Sequence, residues 1–213
     1  MTRYWTLVLI VTFMMGFAAK TYLNTQPSSI VDSKSSQQDH KNERKLSPQD
    51  LNELVLYGQN NTPIKLFDPQ DTRIRILYFG FTHCPDVCPT SLAMLSRALN
   101  EVNDHNRSQL RAVFITLDPE RDDPEASFHY AQYFHPMIEG LSAPLPVLTT
   151  LTKNYGVVFQ KQSLKGSTLE YTVDHNSYFY FVKPDGTLIT KVPHTFSPEP
   201  LVTAINDVLT DKP

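Results

Sequence analysis

Two cysteines, Cys84 and Cys88, stand in the run FTHCPDVCPTS, separated by three residues. Such a pair can close a structural disulfide, cycle as a redox dithiol, or hold a soft metal. A structural bridge is a weak use of it, because so short a loop restrains the unfolded chain little. Dithiol exchange commonly uses two intervening residues, and a third loosens that geometry. Two thiolates suit Cu(I), which then needs only one or two further ligands. The spacing alone leaves these readings open. Seven histidines are available as a further ligand. His83 follows an apolar run and is expected to pack or hydrogen-bond, pointing away from Cys84. His40 lies in a polar segment, His105, His129 and His135 on expected helix surfaces or ends, and His194 in a proline-flanked loop. His175 differs. It begins DHNSYFYFV, in a turn before an aromatic run, where a sheet edge can bring it beside the cysteines.

The elements that must position these residues are readable from periodicity. Ile74–Phe81 (IRILYFGF) is a buried strand, and the cysteines come directly after it. Pro89 sits where a helix can start, and Leu92, Leu95, Leu99 and Val102 recur at helical spacing. The pair therefore falls at the carboxyl edge of a sheet, where α/β proteins place their sites. Residues before proline avoid the helical region, so neither cysteine is expected inside a helix. Cys88 is expected as the N-cap, its sulfur near the positive helix end, which favours its thiolate. Ala112–Leu117 reads as a second strand and Pro124 opens a helix through Ala126, Tyr130, Tyr133 and Phe134. Leu145–Tyr155 is a helix stopped by Gly156, and Val157–Gln162 and Ser177–Val182 are strands. The turn Pro184-Asp185-Gly186 joins the latter to Thr187–Val192, and Ser197–Leu209 is a closing helix with Ser197 as its cap. This order predicts an α/β domain with a mixed central sheet flanked by helices, which a thioredoxin-like fold fits.

Composition sets the boundaries. Of 213 residues, 40% are hydrophobic and 11% aromatic, enough for a core, which excludes disorder throughout. Formal net charge is −3, and residues 1–45 carry six basic residues against three acidic, which leaves the remainder at −6. An acidic domain of this kind has no electrostatic reason to bind nucleic acid. From Tyr4 to Ala19 no residue is charged, with Arg3 before and Lys20 after. As a helix this stretch covers roughly 24 Å, and extension to Leu23 with Lys20 snorkelling brings it near a full span. Residues 1–23 are expected as one N-terminal transmembrane helix, 24–49 as a flexible polar linker, and 50–213 as the folded domain. The competing reading is a cleaved signal peptide, cut after Ala18 with Gly16 at −3. Either way the domain is exported. The lack of an Arg-rich, Ser-rich segment before Tyr4 favours a single-pass protein of the bacterial inner membrane with its C-terminal domain in the periplasm.

Three separated motifs, FGFTHCPDVCPTSL, TLDPERDDPE and YTVDHNSYFYFVKPDG, resemble the Sco/SenC family of membrane-anchored copper proteins. The resemblance covers roughly residues 74–209, and the expected anchor matches as well. It implies a thioredoxin-like fold, with copper bound by Cys84, Cys88 and His175 and the same cysteines forming a redox-active disulfide that excludes copper. It also implies delivery of copper or reducing equivalents to the dinuclear copper centre of cytochrome c oxidase, with a thiol reductase and another copper carrier as further partners. Asp174-His175 stands where thioredoxin-type oxidoreductases usually carry a cis-proline, which favours metal over general disulfide exchange. Asp86, Asp118 and Asp174 are expected around the site rather than in it, or as turn and cap residues. Asn176 departs from the serine frequent in the family, and Leu54–Asp71 matches the family's opening hairpin poorly. Beyond the expected anchor, Met94 and Met137 are the only methionines, which excludes a methionine-rich copper site. The rival functions are an exported thiol–disulfide oxidoreductase with copper incidental, and a peroxide-reducing enzyme using an arginine such as Arg121.

Overall fold

The computed structural model describes residues 45–164, 166 and 170–210. The expected anchor over 1–23 and most of the linker over 24–49 lie outside these residues. Among the described residues no helix is long and apolar enough to cross a membrane. The first described helix, α1 (Pro48–Asn52), is closed by a capping box between Ser47 and Asp50, and the predicted domain boundary at residue 50 falls within it. Two three-residue strands, β1 (Val55–Tyr57) and β2 (Pro63–Lys65), then pair antiparallel. The opening hairpin that the resemblance left in question is therefore present.

The next apolar run forms β3 (Ile74–Gly80), with all seven residues buried. It is the middle of a five-stranded mixed sheet. On one side it runs parallel to β4 (Leu110–Thr116), which runs parallel to β5 (Ile138–Leu141). On the other it pairs antiparallel with β8 (Tyr178–Val182), which pairs with β9 (Leu188–Pro193) across a turn where Gly186 takes φ 88°. Strands covered on both faces read as continuous apolar runs, as β3, β4 and β8 do. Two arginines are exceptions: Arg111 of β4 pairs with the Glu139 carboxylate at 2.8 Å, and Arg75, fully buried in β3, donates to the carbonyls of Leu66, Asp68 and Asp71 and pairs with the Asp71 carboxylate at 3.5 Å.

Alternation along β3 recruits a helix layer on each face. Phe79 meets Tyr155 of α5 (Leu145–Tyr155) at a ring separation of 6.5 Å. Gly80 faces the other way, toward Cys88 of α2 (Val87–Glu101) and Phe114. Phe114 in turn packs on Tyr130 of α4 (Pro124–Phe134), a helix capped by Asp123. The closing helix α6 (Glu199–Thr210) packs beside α2, and a single-turn helix α3 (Asp104–Ser108), which periodicity does not predict, leads into β4. The mixed sheet flanked by helices is as expected.

Other features differ: β5, an edge strand of the sheet, is not among the predicted strands. The run read as Val157–Gln162 is β6 (Phe159–Ser163), and it leaves the main sheet to pair antiparallel with β7 (Tyr171–His175) alone. Four of the five β6 residues are exposed, so β6 has no apolar face to offer a buried sheet. His175 accordingly ends a strand rather than beginning one. Helix α2 also starts earlier than predicted, at Val87 with Asp86 as N-cap, so Cys88 lies inside the helix and is not its cap. The first-turn N–H groups of a helix need no intrahelical partner, so Pro89 at the third position removes nothing that the helix uses.

Candidate metal centre

Strand β3 ends at Gly80, where neighbouring side chains leave no space for another. A Cβ there would stand 2.8 Å from the Cys88 sulfur and 3.1 Å from atoms of the Phe114 and Tyr78 rings. The chain then turns through Phe81–Asp86 into α2. This brings Cys84, half-buried, and Cys88, fully buried, back over the strand end. Both are free thiols, and the Cys88 backbone N–H donates to the Cys84 sulfur at 3.4 Å. The α2 N-terminus is thus aimed at the sulfur of Cys84, which precedes the helix. The Cys88 side chain points inward toward β3.

This placement decides which sulfur ionises. The hydrogen bond from the Cys88 side chain, assisted by the Cys88 and Asp86 backbone N–H groups and by His175, lowers the Cys84 pKa to about 5 against the opposing effect of burial. Cys88 is pushed well up, first because its S–H donates to Cys84, then by burial and the nearby Cys84 charge. The expectation that Cys88 carries the thiolate is therefore reversed, and Cys84 carries it.

His175 reaches this pair from the far side of the chain. It stands at the end of β7 with Nε2 3.6 Å from the Cys88 sulfur, Nδ1 3.2 Å from the Asn176 carbonyl, and Phe81 edge-on at a centroid distance of 6.2 Å. Burial lowers its pKa, so the ring is neutral at pH 7. A proton on Nδ1 directed at the carbonyl leaves the Nε2 lone pair facing the sulfur; that tautomer is assigned from the hydrogen bond. Asn176 ties the hairpin base, accepting from the Val158 N–H at 3.0 Å and donating to the Gly156 carbonyl at 3.0 Å. A surface cavity of about 270 Å³ opens beside these groups, lined by Phe81, Cys84, Val87, Val173 and His175 among others. Among the described residues no three His, Cys, Asp or Glu side chains are already gathered tightly enough to hold a metal ion.

The acidic residues divide. Asp86 and Asp174 are exposed on the cavity wall. Asp118 is fully buried, accepting from the Tyr171 hydroxyl at 2.8 Å and from Arg121 Nε. Arg121 pairs with Asp118 and lies over the Tyr171 ring, its guanidinium carbon 3.7 Å from the ring centre. Asp122 is a residue that sequence reasoning missed. Fully buried, it accepts from the Thr82 N–H at 2.8 Å and from the hydroxyls of Thr82 and Thr116, with His83 Nδ1 at 3.4 Å. The signal available was the Asp122-Asp123 doublet before Pro124, because only one of two adjacent acids can cap the helix. Three other histidines have their own partners: Ser91 for His194, Glu125 for His129, and Asn100 for His135, which caps the end of α4 as expected and is buried there.

The SCO1/SenC family model matches residues 52–210. Protein SCO2, mitochondrial, of Saccharomyces cerevisiae is 37% identical over 117 residues, covering 55% of this chain and 39% of that protein. The chain spans about a third to a half of the length of the curated relatives it matches. Bradyrhizobium japonicum ScoI, solved with copper bound, superposes with TM-score 0.62 at 31% identity, covering 72% of this chain and 96% of that one. BsSco, described as a member of the Sco family of cytochrome c oxidase assembly proteins, shares the fold at TM-score 0.56 and 19% identity, covering 74% of this chain and 92% of its own. On the span of the family match and the likeness of these folds, the chain belongs to the SCO1/SenC family.

Proposed function

We propose that this protein binds copper through the Cys84 and Cys88 sulfurs and the His175 imidazole, and passes copper to the dinuclear copper centre of cytochrome c oxidase during its assembly. The observation that carries this reading is the approach of His175 Nε2 to within 3.6 Å of the Cys88 sulfur. Simple dithiol exchange has no use for an imidazole there. The donor set fits the cargo: two soft sulfurs, one already a thiolate, and a ring kept neutral by burial. The copper-bound relative and the described role of BsSco in oxidase assembly support it. Ligation displaces the Cys88 proton, so uptake weakens as pH falls. The Cys84–Cys88 disulfide cannot hold copper, and a thiol reductase restores the site by supplying two electrons and two protons. Another copper carrier supplies the metal. The uncharged Tyr4–Ala19 segment anchors the protein in the bacterial inner membrane with the C-terminal domain in the periplasm.

The test is anaerobic Cu(I) titration of the reduced full-length chain in detergent, beside its His175→Ala variant. One copper per chain is expected, with affinity lowered at least about tenfold by the substitution. Binding that ignores His175 overturns the reading.

A second reading has its own observation. Cys84 is half-exposed with a pKa of about 5, and Cys88 is a buried protonated partner, the arrangement of a thiol–disulfide reductase. The Cys84 thiolate would attack a partner disulfide and release one partner thiolate. Cys88 would then give up its proton and attack the Cys84 sulfur, releasing the second. That chemistry survives His175→Ala, so the same variant separates the two functions.

A further inference from the structure

His175 rides on a hairpin that the main sheet does not hold. Strands β6 and β7 pair only with each other, and a lone two-stranded hairpin is marginal in water. At the His175 end the Asn176 amide ties it to the chain leaving α5. At the other end stands Tyr171, four residues earlier on the same strand. Its hydroxyl donates to the buried Asp118 carboxylate at 2.8 Å, and Arg121 Nη1 donates to its carbonyl at 3.1 Å. The Arg121 guanidinium and the Lys161 ammonium both lie over its ring, 3.7 and 4.6 Å from the centre. Arg121 also pairs with Asp118, so hydroxyl, ring and carbonyl are all gripped by one short turn after β4.

The same turn grips the cysteine side. Its last residue, Asp122, donates its N–H to the Asp118 carbonyl at 2.9 Å and accepts from the Thr82 N–H at 2.8 Å, two residues before Cys84. An unbroken bonded path therefore runs from the cysteine loop through Asp122 and Asp118 to Tyr171 and along β7 to His175. We propose that the Asp118–Asp122 turn is the common reference for both halves of the site. In this role Tyr171 and Arg121 are positioning residues that set how closely His175 can approach the two sulfurs. Buried Asp118 must keep a cation beside it, so the informative substitutions are conservative. Tyr171→Phe keeps the ring and loses the hydroxyl bond. Arg121→Lys keeps the charge and loses the planar stacking and the forked donors.

This inference rests on the copper reading, and the test separates them. Cu(I) affinity is measured by competition with a chromophoric chelator on the full-length protein and on His175→Ala, Tyr171→Phe, Arg121→Lys and the Tyr171→Phe/His175→Ala double variant. Tyr171→Phe and Arg121→Lys are each expected to weaken binding by about tenfold. In the His175→Ala background, Tyr171→Phe should cost nothing, because the turn acts through that ring. The reduction potential of the dithiol should stay where it is in Tyr171→Phe and Arg121→Lys, which leave both thiols and the His175 ring in place. In the metal-free protein, the His175 ring resonances should broaden in Tyr171→Phe. Equal losses with and without His175, or no loss at all, overturn the turn's role while leaving the copper reading intact. A His175→Ala variant that binds as well as the parent overturns both.

Discussion

Cys84 and Cys88 have the same side chain four residues apart, yet their surroundings assign them different chemistry. Cys84 sits just outside helix α2, where a backbone N–H reaches its sulfur, whereas Cys88 sits inside and loses its hydration. Because the Cys84 pKa is lowered, its reactive thiolate is present above about pH 5 and is lost as the pH falls through that value. Alkylation of the reduced, metal-free protein with iodoacetamide, read residue by residue by mass spectrometry, should show Cys84 labelling with a midpoint near 5. Cys88 should label slowly at neutral pH, because its thiol is both protonated and enclosed. Faster labelling of Cys88 would mean that the helix end serves the other sulfur. His175 obeys the same logic in the opposite sense: burial strips its charge and leaves a neutral ligand.

Among the elements, the junction of β3 with α2 leaves least room for change. Gly80 is required by close approach, since any side chain there meets the Cys88 sulfur and two aromatic rings. Gly80→Ala should cost about 1–3 kcal/mol in urea unfolding, the usual penalty for overpacking a filled core. It should weaken Cu(I) binding in the same protein, because the sulfur that must move is a proposed ligand. Unchanged stability together with unchanged copper affinity would show that the strand end yields freely. The β6–β7 hairpin is the contrasting element. It lies outside the main sheet, with Val173 its one buried residue and Tyr171 and Asn176 tying its two ends. An imidazole on such a hairpin can move relative to a dithiol on a rigid strand–helix junction, which suits a site that must both take and release its cargo.

At the scale of the whole molecule, binding and folding are linked. The proposed ligands come from two segments about 90 residues apart, so the unfolded chain offers no comparable site. At free Cu(I) a thousandfold above Kd the native state gains about 4 kcal/mol, which for a domain of this size raises Tm by roughly 8–16 °C. Thermal unfolding of the reduced protein with and without Cu(I) should show this rise. The oxidised protein, its sulfurs tied to each other, should show none. A rise in the oxidised form would place the copper elsewhere.

Much of this protein was legible in the residues themselves. Apolar runs located β3, β4 and β8, the proline and glycine punctuation located α4 and α5, and the cysteines' place after a buried strand put them at the carboxyl edge of the sheet. These features are local: burial on both faces, a cap or a breaker writes itself into neighbouring residues. The contribution of the tertiary structure alone is long-range. It brought His175 to Cys88 across 87 positions, paired β6 with β7 outside the sheet, and set Asp122 under the cysteine loop. It also placed Cys88 within α2 and gave the thiolate to Cys84. Periodicity records which face of an element is buried, but which side chains meet depends on where the chain crosses itself, and the ionisation of each sulfur depends on the donors that crossing supplies.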